Sequence, residues 1–231
     1  MNKSWSELNR KMQIQLKKEA TFSDGIETLF ELRKELMQAA DGFFRDFSRE
    51  EFCAMPFINA EGYHSKTVAY SFWHIFRIED IVANTLIAGC GQVFFRGNYK
   101  ERTNSPIITT GNELVKQQIA EFSRQLNLGE LQNYIHEVKA QTEKILCALS
   151  YSDLKKKVSA EARKKLESLN VVSTDESAAW LVDYWCGKDF RGLVQMPFSR
   201  HWIMHIEAAL RIAGKLRENW LTTASLCSIF Y

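Results

Sequence analysis

Residues 66–88 read KTVAYSFWHIFRIEDIVANTLIA, and this stretch decides the fold class. Its apolar side chains cover most of the circumference of a helix, so that only a narrow polar strip is left, made of Lys66, Arg77, Asp80 and Asn84. A helix that is apolar almost all round is buried inside a protein. We therefore expect a long, largely buried helix here, with other helices packed around it.

Helical spacing recurs in three further long segments, residues 26–44, residues 131–149 and a last segment that starts near Pro197. Apolar residues recur at three- and four-residue steps in each, interrupted in the first only by Arg33. Strand-like alternation is scarce, and we expect a long loop over residues 89–111, where the pattern breaks. The sequence predicts an all-α protein built as a four-helix bundle, with one core that contains the following residues: Phe30, Leu36, Ile78, Ile81, Val138, Ile145, Ala209 and Ile212.

Two serines have the spacing of helix-capping boxes. Ser4 with Glu7 predicts the start of a short N-terminal helix, and Ser173 with Glu176 predicts the start of a helix that ends near Gly187. Each pair would satisfy backbone N–H groups at the beginning of its helix.

The composition fits one folded domain. The 231 residues contain 3 prolines and no low-complexity linker, so we expect a single domain over residues 1–231, with an N-terminal arm at 1–20 and a C-terminal tail at 218–231. The net charge of +2 lacks the basic excess of nucleic-acid-binding proteins. No apolar run approaches the roughly 18 residues of a membrane span, and the N-terminus lacks a secretory signal. We expect a cytoplasmic protein without nucleic-acid or membrane partners.

Three of the five histidines point to a metal site. His201 and His205 are four residues apart, which places both imidazoles on one face of the last helix. His74 lies on the inward face of the buried helix, where an unpartnered ring would be costly. A shared ion explains all three, and a three-histidine site leaves positions for water or substrate. The alternative is that they are hydrogen-bonded core residues without a metal.

The other two histidines do not fit this site. His136 projects from the polar side of its helix and is expected at the surface. His64 precedes the buried helix and could at most contact one of the metal-binding side chains without binding the metal itself.

Two motifs resemble the DinB/YfiT-like superfamily. Residues 71–80, SFWHIFRIED, are similar to the second-helix segment of that family, in which an aromatic residue and a histidine precede a short apolar-Arg-x-Glu run. Residues 200–207, RHWIMHIE, are similar to its last-helix motif R-H-x-x-M-H. Order and spacing agree as well, and the resemblance spans residues 26–217.

The resemblance implies a DinB-like four-helix bundle (up-down-down-up) with extra short helices. It also implies a divalent ion, nickel or zinc first and iron or manganese as alternatives, on the positions His74, His201 and His205. Characterised branches of the family include metal-dependent transferases that use small thiols such as bacillithiol or mycothiol, and a mycothiol-dependent maleylpyruvate isomerase. This chain also contains segments that a compact member of the family lacks, such as residues 152–169. Because of them, the substrate cannot be inferred from the family.

These features favour a metal-dependent enzyme that acts on a small molecule near Tyr70, Trp73 and Trp202, with thiol-dependent S-transfer as the expected reaction. A zinc-like ion binds sulfur strongly, and neither Glu79 nor Glu207 shares the ligand face, so no protein base is evident. Hydrolysis is the second reaction considered. The alternative from another class is a non-catalytic bundle that a metal stabilises or that senses a ligand under stress.

Two further expectations concern partners. A low-molecular-weight thiol carries carboxylates that basic residues could bind, and the candidates are Arg96, Lys100, Arg102 and Arg200, which we interpret first as solvated surface. The apolar runs Val93–Phe95 and Ile229–Tyr231 lie outside the predicted core, so we expect a homodimer that covers them.

Overall fold

The computed structural model describes the backbone of residues 2–227 and the side chains of residues 2–62 and 64–218. It is 73% helix, and the part of the chain so described contains no strand; Lys157 and Asp189 form an isolated β-bridge. The predicted all-α class is therefore confirmed. Within the same residues no helix combines the length and the apolar character that a membrane crossing requires.

The α-helices follow one another in this order: α1 (Lys3–Gln15), α2 (Phe22–Asp46), α3 (Arg49–Cys53), α4 (Val68–Asp80), α5 (Val93–Arg96), α6 (Tyr99–Arg102), α7 (Gln117–Gln125), α8 (Leu128–Cys147), α9 (Ala160–Ser168), α10 (Glu176–Cys186), α11 (Phe190–Gln195) and α12 (His201–Cys227). Two π-helical segments belong to these runs. Ile81–Ile87 prolongs α4, and Met196–Arg200 joins α11 to α12. Short 3-10 turns lie at Glu19–Thr21, Gly62–His64 and Asp153–Lys155.

The four long helices α2, α4, α8 and α12 pack together. Helix α4 contacts α8 and α12, and α2 contacts the same two helices, so the four form a closed ring of contacts. Helix α1, within the predicted N-terminal arm, lies along α2 and buries Trp5 and Met12. The up-down-down-up order of a DinB-like bundle remains a prediction.

Helix α4 is buried along its whole length. Its first turn is capped by Thr67, whose hydroxyl accepts from the backbone N–H of Tyr70 at 3.0 Å. The predicted polar strip also turns inward, since Arg77, Asp80 and Asn84 have no exposed surface. The Arg77 guanidinium donates to the backbone carbonyl of Ile108 at 2.7 Å. Apart from the partly exposed Lys66, the strip therefore faces the protein interior and holds the segment that follows α4.

Residues 89–111 are not the long loop that the sequence predicts, because they contain α5 and α6. The Asp80 carboxylate accepts from the backbone N–H groups of Val93 at 2.8 Å and Phe94 at 2.9 Å, and so caps α5 from a distant helix. Val93 and Phe94 are fully buried, and Phe95 alone of this run is exposed. The run is thus not the uncovered apolar patch that the dimer expectation assumed. Ile229–Tyr231 lies outside the described residues, and the homodimer stays a prediction.

Three expected helix starts are wrong. Asn2 and Asp175 cap α1 and α10 through their side chains, so neither Ser4 nor Ser173 is the cap. Pro197 lies inside a helical run that begins earlier in the chain, at α11. Asn2 lies two residues before Ser4 and Asp175 two residues after Ser173. Such neighbouring side-chain acceptors compete as caps, and the local sequence pattern does not rank them.

The predicted core residues are buried except Phe30, which is half-buried. They do not form one core, however, because the buried apolar side chains divide into two clusters. The Arg33 guanidinium lies where the clusters meet. It donates to the carbonyl of Phe198 in one cluster at 3.1 Å and lies 4.4 Å from the ring centroid of Trp202 in the other. A buried polar group thus separates two apolar regions.

Candidate metal centre

The three histidines singled out in the sequence meet between α4 and α12. His74 lies in the middle of α4, and His201 and His205 lie in the first two turns of α12, which packs against α4. Residues four apart on a helix share a face, which explains why α12 turns both imidazoles toward α4. All three residues are buried, with 5%, 8% and 5% of their surface exposed in chain order.

The rings are close enough to share one ion. The centroid of the His74 ring lies 5.0 Å from that of His201 and 4.9 Å from that of His205, and the last two are 4.6 Å apart. One nitrogen of each ring lies within 4.8 Å of the other two nitrogens. Zinc–nitrogen bonds of about 2.0–2.1 Å place tetrahedral ligands about 3.4 Å apart, which is inside that bound. The cluster could therefore hold a metal ion.

A backbone carbonyl sets the orientation of the His74 ring. Its Nδ1 lies 2.8 Å from the carbonyl oxygen of Thr110. A carbonyl can only accept, so Nδ1 carries the proton and Nε2 keeps its lone pair. Metal-binding histidines commonly donate their second nitrogen to such a carbonyl, which fixes the tautomer and raises the basicity of the ligand nitrogen.

The loop that carries Thr110 is itself held in place by Tyr70. The Tyr70 ring stacks on His74 with centroids 5.5 Å apart and planes 11° from parallel, and its hydroxyl donates to the Gly111 carbonyl at 2.9 Å. Burial, with a contribution from Glu113, raises the pKa of this hydroxyl above its usual range, so it stays protonated. Gly111 has a φ of +80°, and a Cβ there would lie 3.0 Å from the Tyr70 ring. Glycine is thus required beside the His74 support.

The electrostatics keep the three rings neutral. Burial lowers the pKa of His74 to about 4. The pKa values of His201 and His205 lie well below the ordinary value, first through burial and then through the neighbouring imidazoles. Neutral imidazole is the form that binds metal ions.

His201 provides a test of whether an ion fits. Its buried Nδ1 has no hydrogen-bond partner among the residues that the structure describes. A buried polar atom without a partner costs about 1–3 kcal/mol. A cation bound at that nitrogen would remove the cost, and three neutral imidazoles are a donor set that suits a divalent ion such as zinc or nickel.

A cavity of about 290 Å³ opens beside the histidines. Beyond them its wall is mainly apolar and aromatic, formed by Trp180, Leu181, Tyr184, Trp185, Met196 and Met204. Most of this wall belongs to α10, which the sequence analysis did not connect with the site. The sequence feature that could have pointed to α10 is the spacing of Trp180 and Tyr184, which places two aromatic side chains one turn apart on a short helix.

The aromatic residues expected around the cavity lie elsewhere. Tyr70 touches His74 on the side of the Thr110 loop, Trp73 donates to the Thr109 carbonyl at 3.2 Å, and Trp202 donates to the Glu79 carboxylate at 2.8 Å. None of the three lines the cavity. Trp73 and Trp202 are next to ligand histidines in sequence, and neighbours along a helix point about 100° apart. Tyr70 shares the face of His74 but is directed to the Gly111 carbonyl of the following loop.

The two carboxylates considered in the sequence are engaged away from the cavity. Glu79 is fully buried and accepts from Arg33 and Trp202. Glu207 accepts from the backbone N–H of Asn2. The wall of the cavity, as far as the chain is described, contains no carboxylate, no lysine and no arginine.

The remaining candidates lie at the surface or near it. His136 is exposed as predicted and lies 2.9 Å from Asp41, while His64 contacts Arg211. The four basic residues considered for a thiol cofactor are exposed and do not line the cavity; they are Arg96, Lys100, Arg102 and Arg200.

The chain matches no protein-family model, and no curated protein matches it. The resemblance to the DinB/YfiT-like superfamily therefore rests on the two motifs around the histidines. Both motifs lie on the helices that form the candidate metal centre.

Proposed function

We propose that this protein is a DinB-like, divalent-metal-binding enzyme that acts on a small molecule, with transfer of a small thiol as its reaction. The observation that carries the proposal is the convergence of His74, His201 and His205 as buried, neutral imidazoles at the wall of a cavity. A site built only to hold a core together would not need an opening for a ligand.

The ion is proposed to be zinc or nickel, since imidazole ligands suit both. When bound to three protein ligands, such an ion keeps a position for an outside ligand and lowers the pKa of a thiol or water placed there. The expectation of a low-molecular-weight thiol comes from the family resemblance. Among the described residues, no lysine or arginine at the cavity wall supports a particular thiol.

The side chains of the protein orient the His74 ligand and exclude water from part of the cavity. Thr110 holds the His74 ring through a hydrogen bond, and Tyr70 holds it through ring stacking. The α10 side chains Leu181 and Trp185 are almost fully buried beside the histidines and keep bulk water out of that side of the cavity. A thiolate is a strong nucleophile that needs no protein base once it is deprotonated. The uncharged wall thus favours thiol transfer over hydrolysis, which would recruit a carboxylate.

A non-catalytic, metal-stabilised bundle is the second candidate, and one observation favours it. The three ligands connect α4 and α12, the two helices that also meet Arg33 where the apolar clusters join. An ion bound there would link two central helices and stabilise the fold.

The experiment combines metal content with thiol turnover. Purified protein loaded with zinc or nickel is measured by elemental analysis, and then incubated with L-cysteine, bacillithiol or mycothiol and chlorodinitrobenzene. We expect one bound ion and metal-dependent thiol consumption, both lost in His201→Ala and both kept in His136→Ala, whose histidine is exposed. Metal at background in the wild-type protein contradicts the whole proposal. Bound metal without turnover of any thiol favours the non-catalytic bundle.

A further inference from the structure

The outer wall of the cavity contains an aromatic pair. Trp180 and Tyr184 lie one turn apart on α10, with ring centroids 5.5 Å apart and planes at 72°. The Trp180 indole donates to the Ser177 carbonyl at 2.9 Å, which holds its ring in place, yet 51% of the residue is exposed. Tyr184 is flanked by Lys188, whose Nζ lies 4.2 Å from the ring centroid. The pair thus forms a large aromatic surface of fixed orientation at the opening of the cavity.

The side chains that line the cavity carry no charge in the metal-free protein, and the Lys188 ammonium lies against the Tyr184 ring but is not part of the lining. None of the side chains that line it, in the described chain, is a carboxylate, an ammonium or a guanidinium group. The buried ionic side chains nearest to it in the chain, Arg77 and Glu79, are bound to other groups inside the protein. In the metal-free protein a charged ligand would lose its hydration against this lining without an ion-pair partner in it, which costs far more than burying a neutral ligand.

The polar group at the wall that is not a histidine or an aromatic side chain is an amide. The Asn112 side chain lines the cavity, and its Oδ1 accepts from the Thr110 hydroxyl at 2.7 Å. Asn112 thus adds one neutral hydrogen-bonding group to the mainly apolar wall. Cavities of this kind use a few polar groups to orient a mainly apolar ligand.

The size of the cavity limits the ligand to one or two rings. Its volume of about 290 Å³ is roughly twice that of an engineered apolar cavity of about 150 Å³ that binds benzene. A polymer would not enter, whereas a naphthalene-sized molecule would fit.

We propose that this cavity binds a neutral, flat aromatic molecule of one or two rings, with its ring against Trp180 and Tyr184. That this molecule is the substrate rests on the function proposed above. Aromatic rings pack edge-to-face or offset-stacked on one another with a gain beyond simple burial. A half-exposed tryptophan with a fixed ring is suited to such packing.

The test measures binding to the full, metal-free protein by ligand-detected NMR, with three probes. They are 2-naphthylmethanol, its anionic counterpart 2-naphthoate, and the saturated alcohol cyclohexylmethanol. We expect 2-naphthylmethanol to bind at least about tenfold more tightly than 2-naphthoate, because the side chains that line the cavity give the anion no ion-pair partner. We expect the saturated alcohol to bind more weakly than the aromatic one.

Two variants locate the probe. Trp180→Leu keeps an apolar side chain but removes the flat ring, and should weaken 2-naphthylmethanol binding by about fivefold. Tyr184→Leu should act in the same direction. Phe95→Leu is the matched control, since Phe95 is an exposed aromatic residue outside the cavity, at 42% exposure, and should leave binding unchanged.

The outcomes separate this inference from the proposed function. Equal binding of the alcohol and the naphthoate, or unchanged binding in both α10 variants, overturns the aromatic site even if the protein binds zinc. Binding that depends on Trp180 supports it, and does so even if elemental analysis finds no metal and the proposed enzyme is thereby rejected.

Discussion

The carboxylate of Glu79 and the guanidinium of Arg33 form a two-bonded ion pair, at 2.7 and 2.9 Å, with no exposed surface on either side chain. Trp202 completes the contact, since its indole donates to Glu79 at 2.8 Å and its ring lies 4.4 Å from the Arg33 guanidinium carbon. The pair therefore ties α2, α4 and α12 together. Because His201 directly precedes Trp202, the ion pair also helps to set the position of α12, and thus of His201, relative to His74.

Glu79→Gln should destabilise the protein by about 3 kcal/mol, because it removes the two-bonded partner of the buried Arg33 charge and leaves only the longer contact with the partly exposed Glu143 at 3.3 Å. Urea unfolding followed by circular dichroism measures the loss. Glu130→Gln is the matched control, because Glu130 pairs with Arg102 on the partly exposed surface and such pairs contribute about 0–1 kcal/mol. A Glu79→Gln protein as stable as the control would show that the buried pair does not hold the helices together.

The metal-free protein should lose stability as the pH falls from about 6.5 toward 4. The pKa of His74 is about 4 in the folded protein, against about 6.5 in an unfolded chain. Between these values the unfolded chain takes up a proton that the folded one does not, which favours unfolding by up to about 1.4 kcal/mol per pH unit for this group.

Unfolding measured at pH 7, 6 and 5 in the presence of a chelator tests this pH dependence. His74→Gln should reduce the slope, whereas His136→Gln should not. An identical slope in wild type and His74→Gln would contradict the burial argument.

Zinc or nickel should stabilise the folded protein, because an ion that binds only the folded state shifts unfolding by mass action. At a free concentration of one hundred times Kd the gain is about 2.7 kcal/mol. Thermal unfolding with and without the ion measures this gain. His205→Ala should abolish it and His136→Ala should keep it; a shift that survives in His205→Ala would place the ion elsewhere.

Gly111→Ala should weaken metal binding by about tenfold or more, because it displaces the carbonyl that orients His74. The added methyl would meet the Tyr70 ring at 3.0 Å, in a backbone conformation with φ of +80°. Competition with a chelator measures the affinity. Gly42→Ala is the control, since a Cβ there meets nothing closer than 3.8 Å and an alanine suits a helix interior. Equal affinity in both variants would mean that the Thr110 loop does not support the ligand.

Much of the site could be predicted from local pattern. The nearly continuous apolar surface of residues 66–88 required a buried helix, and so turned His74 inward. The four-residue spacing of His201 and His205 required a shared face. Both inferences depend only on the geometry of a single helix, which repeats every 3.6 residues whatever surrounds it.

Other features depend on contacts between distant parts of the chain. Asp80 caps α5 from 13 residues away, and Arg33 meets Glu79 from 46 residues away. Sequence pattern treats such charged residues as solvated, because burial of a charge is unfavourable unless a partner is present. Whether the partner is present depends on how the helices pack.

The sequence by itself determined the helical class and the side of each helix that carries a histidine, because helical periodicity is a local property. The tertiary structure alone decided that three rings meet, that Thr110 supports one of them, and that Trp180 and Tyr184 of α10 complete the wall of the cavity. These depend on the packing of helices far apart in sequence, where side-chain shape and buried polar partners select one arrangement.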